Sequence, residues 1–127
     1  MKILVLDASG TVRNKIYNIL ESLDIGFLDI ELFEDGSQAL DYIKDNDVDL
    51  VFSGIETIGL DGISFVDILL RDNPKLVSKL FIVTSQTNTE NFYEMKGVGA
   101  KRFIKKPINE EYFKHFVIPE INKVLRA

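Results

Sequence analysis

The apolar positions of the chain change period again and again. Ile3 to Leu6 is an unbroken apolar run, the pattern of a buried strand. Val12, Ile16, Ile19, Leu20 and Leu23 then recur at helical spacing, with Ser9 placed to cap the helix they predict. Leu28, Ile30 and Leu32 alternate with Asp29 and Glu31, which predicts a half-exposed strand at a sheet edge. Ala39, Leu40 and Ile43 follow Asp35-Gly36 as a short helix. Leu50, Val51 and Phe52 form a third strand, and Val66, Leu69 and Leu70 the next helix. Leu80 to Val83 is a further continuous run ending in Thr84-Ser85. A weakly patterned helix covers 89–96, and Phe103-Ile104 is a short strand before Lys106-Pro107. Phe113, Phe116, Val117, Ile121, Val124 and Leu125 mark a last helix, which Pro119 is expected to kink or split.

These are five strand–helix units. Continuously apolar strands alternating with helices imply an α/β fold with a parallel sheet covered on both faces. Right-handed crossovers leave few topologies. A doubly wound five-stranded sheet of order 2-1-3-4-5 fits, with the alternating strand at its edge. Its crevice lies at the carboxyl ends of the first and third strands, where the order reverses.

Composition narrows the class. The 127 residues suit one domain spanning 1–127, with 46% apolar and 28% charged residues. A net charge of −5 argues against a nucleic-acid surface, which needs clustered excess cation. The absence of cysteine excludes disulfides, thiolate chemistry and the usual cysteine zinc site. The apolar run after Met1-Lys2 is too short for a signal peptide, and no segment approaches membrane-spanning length. A cytoplasmic protein without membrane contact is expected.

Four strand ends then meet at one rim, and three of them bring an acid, a hydroxyl and a lysine. The first ends in Asp7-Ala8-Ser9, the third in Ser53-Gly54-Ile55-Glu56, the fourth in Thr84-Ser85 and the fifth in Lys106-Pro107. Lys106, Thr84 and backbone N–H groups suit an anion such as a phosphoryl group. In this order "ILVLDASGTVR", "EDGSQAL", "LVFSGIETIGLDG", "FIVTS" and "GAKRFIKKPI" make the whole chain resemble the receiver domain of two-component response regulators, as in the stand-alone chemotaxis regulator. The resemblance implies a flavodoxin-like fold and a bacterial signalling module that is not an enzyme. Its partners would be proteins: a histidine kinase, a chemotaxis protein or another output protein.

The resemblance also implies roles by position. Asp7 matches the first acid of a Mg²⁺-binding pair, and Ala8 replaces the second. Gly54 stands where a phosphoacceptor aspartate is usual. Thr84 and Lys106 match the hydroxyl and lysine that contact the phosphoryl group, and Phe103 matches an aromatic switch residue. Ile58 stands where a proline is usual. Aspartyl phosphorylation needs a carboxylate nucleophile and a metal to neutralise the transferred group. Gly54 supplies no nucleophile, and Asp7 alone is a weak remnant of a metal site. The expectation is therefore a degenerate receiver, acting without phosphorylation, cofactor or metal. The alternative is a receiver phosphorylated on a substitute acid such as Glu56. A more distant reading, from the Ser9-Gly10-Thr11 loop, is a flavodoxin-like FMN electron carrier.

Other positions stay open at this point. Lys106 suits a ligand contact or an ion pair with Asp7 or Glu56, and its bond to Pro107 resembles a cis peptide of the family. Thr84 suits a switch hydroxyl or a β-branched strand end. Ser53 is expected to face away from the crevice, and Asp61 to form a turn with Gly62. Lys96, Lys101, Arg102, Lys105 and Lys106 are a basic stretch that suits a solvated face or a partner site. The resemblance places signalling on the fourth helix, fifth strand and fifth helix, so Lys96, Arg102, Phe103, Lys105 and Tyr112 are its candidate residues. His115, the only histidine, lies away from the rim and is not a catalytic candidate. Phe92, Tyr93 and Met95 suit either core or contact.

Overall fold

The computed structural model describes residues 1–85 and 89–126. Strands β1 (Lys2–Leu6), β2 (Asp29–Phe33), β3 (Leu50–Gly54), β4 (Leu80–Ser85) and β5 (Phe103–Lys106) alternate with helices α1 (Gly10–Glu21), α2 (Gly36–Asp45), α3 (Gly62–Asp72), α4 (Thr89–Gly97) and α5 (Glu110–Arg126). The sheet runs β2-β1-β3-β4-β5, and every pairing is parallel. This is the α/β doubly wound architecture that the periodicity predicts, with the alternating strand β2 at one edge.

Successive side chains of a strand point to opposite faces, so each central strand feeds two cores. Ile3, Val5, Phe52, Phe81, Val83 and Ile104 pack with Ile16, Ile19 and Leu20 of α1 and Phe113, Val117 and Ile121 of α5. Leu4, Leu6, Val51, Leu80 and Ile82 pack with Ala39 of α2, Phe65, Val66 and Leu69 of α3, and Met95 of α4. Phe52 stacks on both Phe81 and Phe113, with ring centroids 5.3 Å apart in each pair. Burial of each such side chain stabilises the fold by about 2 kcal/mol before entropy is counted.

Polar caps start the helices. Ser9 accepts from Val12 N at the head of α1, and Asp35 from Ser37 N at the head of α2. Asp61 does not form a turn with Gly62. It caps α3, accepting from Ser64 N at 2.8 Å and Ser64 Oγ at 2.9 Å. Gly62 is the buried first residue of that helix, and a Cβ there would collide with Gly54 O and lie 2.6 Å from Ile55 O. Asparagine and proline after α3 start a 3₁₀ helix over Pro74–Lys79, which the periodicity does not signal. Pro119 leaves α5 as one continuous helix and does not split it. Its missing N–H frees the His115 carbonyl, but both residues are exposed, so water can take that bond.

Candidate functional site

The rim is built at the carboxyl ends of β1, β3, β4 and β5. Asp7 follows β1 and is 2% exposed. Its backbone N–H donates to Phe33 O at 3.0 Å, and its carbonyl accepts from the Arg13 guanidinium. Its Oδ1 accepts from Ser9 N at 2.9 Å, a local loop bond that orients the carboxylate. Its Oδ2 lies 3.1 Å from Lys106 Nζ. That contact is an ion pair without an aligned hydrogen bond, so Oδ2 is held by charge.

Gly54 ends β3, paired with Val83 of β4, and is buried. A Cβ at this position would overlap Asp7 Oδ2 and lie 2.9 Å from Asp7 Cγ. The Asp7 carboxylate therefore stands over the Gly54 backbone. Ser53 is fully buried, and its hydroxyl donates to Gly54 O at 2.9 Å. Thr84 is also buried, and its Oγ1 donates to Ser85 O at 3.3 Å. Ala8 is exposed, and its N–H donates to Glu56 O at 3.1 Å, which ties the loop after β1 to the loop after β3. The Glu56 side chain is exposed. The Lys106–Pro107 peptide is cis.

So Asp7, Gly54 and Lys106 meet in one place, with Thr84 buried on the strand between the last two. Of the two acids considered for Lys106, the ion pair goes to Asp7. Arg13 and Ser9 hold Asp7 on its other sides. The role of Arg13 has a weak sequence signal: it is a cation in the first turn of a helix that starts beside a buried acid.

The donor set does not fit a divalent cation. Mg²⁺ asks for near-octahedral oxygen ligands, at least one or two of them carboxylates. Ala8 and Gly54 bring none, and both Asp7 oxygens are engaged by Ser9 N and Lys106. Among the described residues no group of three or more acids, histidines or cysteines could hold a metal.

The chain matches the response regulator receiver domain over residues 3–117. It belongs to that family. Two relatives of this receiver domain are chemotaxis proteins. CheY-3 of Vibrio cholerae serotype O1 is 29% identical over 107 residues, covering 84% of this chain and 81% of that protein. CheY of Pseudomonas aeruginosa is 25% identical over 114 residues, covering 90% of each. Among solved structures, the receiver domain of NtrX from Brucella abortus has a TM-score of 0.80 at 27% identity, covering 94% of this chain and 98% of that one. A longer NtrX chain has a TM-score of 0.81, and the present chain spans 28% of its length.

The basic stretch of the receiver domain does not form one face. Lys106 is half-buried on Asp7. Arg102 Nη1 lies 3.0 Å from Glu120 Oε1 and covers the Phe81 ring at 5.8 Å. Lys101 and Lys105 are exposed, and Lys96 lies over the Phe92 ring at 5.3 Å. Lys105 and Lys106 are neighbours on β5 and so face opposite ways, while Lys96 lies on α4 and Lys101 and Arg102 precede the strand. Phe103 is half-buried with its ring 4.5 Å from Phe92, while Met95 belongs to the core and Tyr93 is 69% exposed. Tyr112 is exposed, 4.7 Å from Phe116 between ring centroids. An open groove of about 640 Å³ runs past Lys105, Pro107, Asn109, Glu111, Tyr112 and His115.

Sequence reasoning missed Glu120. Its carboxylate is buried between Arg102 and Lys123, the latter 3.2 Å away. The signal was available, since position 120 falls on the helical stripe of Phe113, Val117 and Ile121. No helix among the described residues is long and apolar enough to cross a membrane.

Proposed function

We propose that this receiver domain is a degenerate one: a phosphorylation-independent protein–protein signalling module, the whole chain acting as one cytoplasmic unit. The observation that carries this reading is the Asp7 carboxylate seated over Gly54 and paired with Lys106. In a working aspartyl phosphoacceptor site the residue ending β3 is the nucleophile, a metal neutralises the incoming phosphoryl group, and the lysine is available to it. Here the first is glycine, the donor set is poor for the second, and the third is engaged. The partner is a histidine kinase, a chemotaxis protein or another output protein, bound without nucleic acid or membrane. The candidate face comprises Lys96, Phe103, Lys105 and Tyr112, with Arg102 behind it in an ion pair.

Incubation with acetyl phosphate and Mg²⁺, followed by intact-mass measurement, tests the reading. The expected mass is unchanged. A stoichiometric, hydroxylamine-labile phosphoryl adduct would overturn it, and loss of that adduct in Glu56→Gln would identify the substitute acid on the exposed loop after β3.

A further inference from the structure

We infer that the free edge of β2 takes an added strand from a partner protein, a segment in which basic and apolar residues alternate. This gives a second surface to the protein-binding role proposed above and rests on that role for its place in signalling.

The backbone is open at this edge. Asp29 N donates to Met1 O at 2.9 Å, and Phe33 O accepts from Asp7 N at 3.0 Å, so these residues turn their backbone groups toward β1. Alternation then turns the N–H and C=O groups of Leu28, Ile30 and Leu32 outward. Among the described residues β2 pairs with β1 alone, and no backbone hydrogen bond reaches the outward groups. The chain bends at Glu34, and Asp35 bridges Ile58, which ends the open stretch. An exposed edge of this kind is where strand addition occurs: the main chain supplies hydrogen bonds and the side chains choose the partner.

The side chains set the chemistry of that partner. On the α1 side, Leu28 and Ile30 pack against the core, while Leu32 is 37% exposed. Phe27, just before the strand, is 83% exposed, the most of any large apolar side chain described. Asp29 and Glu31 share the opposite face with Phe33, beside Tyr42 of α2. Burial, and then the charges of Glu31 and Asp29, raise the Tyr42 phenol above its ordinary value. Both acids are half-buried, and among the described residues no cation lies within ion-pair distance of either. Lys2, opposite Asp29 in the pairing, turns its ammonium to Asn46 Oδ1 at 2.8 Å. An added strand with Lys or Arg across from Asp29 and Glu31 supplies the missing counter-charge. Its alternate apolar residues cover Ile30 and Leu32.

Charge on an edge strand also keeps like edges apart. Here that restriction is selective. A second β2 would set acids against acids. The β5 edge of a second copy brings Lys105 alone, since Lys106 is held at Asp7. The edge thus rejects copies of this chain and admits a basic strand.

The test is an amide NMR titration of the natural chain at low salt, without metal or phosphodonor. The probes are capped peptides of about six residues, one alternating lysine with valine and one alternating glutamate with valine. The Lys–Val peptide is expected to shift the Leu28, Ile30 and Leu32 amides most and to slow their hydrogen exchange, with added salt weakening the effect. The Glu–Val peptide is expected to leave them unchanged. No response to Lys–Val, an equal response to both peptides, or largest shifts away from β2 would overturn the inference. Concentration-dependent protection of Ile30 and Leu32 without peptide would make the occupant a second copy and also overturn it. Glu31→Lys removes an acid, and Leu32→Pro removes an outward donor while sparing the bonds to β1. Each is expected to weaken Lys–Val binding several-fold, and unchanged binding in either folded variant would refute the edge as the site. The peptide comparison on the natural chain decides the matter where a variant does not fold. Failure here is distinct from failure of the functional reading. Phosphorylation of the natural chain would sink that reading and leave the β2 shifts standing. A silent β2 edge would sink this inference and leave an unphosphorylated protein.

Discussion

Lys106 Nζ and Asp7 Oδ2 lie 3.1 Å apart, although β3 and β4 stand between the strands that carry them. The carboxylate is almost fully buried and the lysine side chain is 29% exposed. Lys106→Met removes the cation and leaves the acid. Breaking a fully buried pair costs roughly 3–5 kcal/mol, and partial exposure reduces this to about 2 kcal/mol. Denaturant unfolding at neutral pH checks the value. The loss is expected to shrink when Asp7→Asn is added, because the orphaned charge is then gone.

Restoring carboxylates one at a time is expected to fail. Gly54→Asp displaces Asp7 from Lys106 and sets two carboxylates together without a metal to separate them, which lowers stability. It leaves Ala8, so the metal site stays short of an acid. Gly54→Asp with Ala8→Asp supplies three carboxylates, and its stability is expected to rise with added Mg²⁺. Thermal unfolding with and without Mg²⁺, alongside acetyl phosphate labelling, reads both effects. Full Mg²⁺-dependent phosphorylation of Gly54→Asp alone would refute the role given to Ala8.

Asp61 makes a pH-dependent contribution at the start of α3. The Ser64 backbone N–H that it accepts holds its carboxyl below the ordinary 3.8, against a smaller opposing effect of burial. A depressed folded value means that the stabilisation is complete above the unfolded pKa and is lost as pH falls through the folded one. Asp61→Ala is expected to cost about 1 kcal/mol at neutral pH. The gap between the two proteins is expected to close on acidification below the ordinary carboxylate range, in urea titrations at stepped pH.

Arg102 and Glu120 clamp the start of β5 to α5. Arg102→Ala leaves Glu120 with Lys123 as its remaining cation and exposes part of the Phe81 ring. A loss of about 2 kcal/mol is expected, most of it from the lost Arg102–Glu120 pair and the rest from lost packing. Glu120→Gln is expected to cost less than Arg102→Ala, since an amide keeps a hydrogen-bonding group without the charge. The order of the two unfolding midpoints decides this.

Surface changes are expected to separate binding from folding. Tyr112→Ala and Lys105→Glu alter exposed residues, so unfolding midpoints should move by no more than about 0.5 kcal/mol. Capture of a protein partner is expected to weaken in both, and the Lys105→Glu effect to fade with added salt. Phe103→Ala differs, because its ring packs on Phe92. It should lower stability as well as capture.

The order of elements and the order of strands were legible in the chain itself, because apolar period reports which faces are buried and short connections restrict the topology. Asp29 and Glu31 alternating with Leu28, Ile30 and Leu32 marked β2 as the edge. Ala8 and Gly54 at the strand ends were likewise visible as positions without a carboxylate. Other features were decided only by tertiary structure. Asp61 caps α3 because the loop after β3 enters a helix there, while Asp-Gly by itself signals a turn as readily. Pro119 is tolerated because its side of α5 faces water. Lys105 is exposed and Lys106 half-buried because neighbouring residues of β5 face opposite ways. The choice of Asp7 over Glu56 for Lys106 is the clearest case. Both acids lie far from position 106 in the chain, and only the packing of four strand ends brings one carboxylate over a bare glycine backbone, where a lysine from the edge of the sheet can reach it.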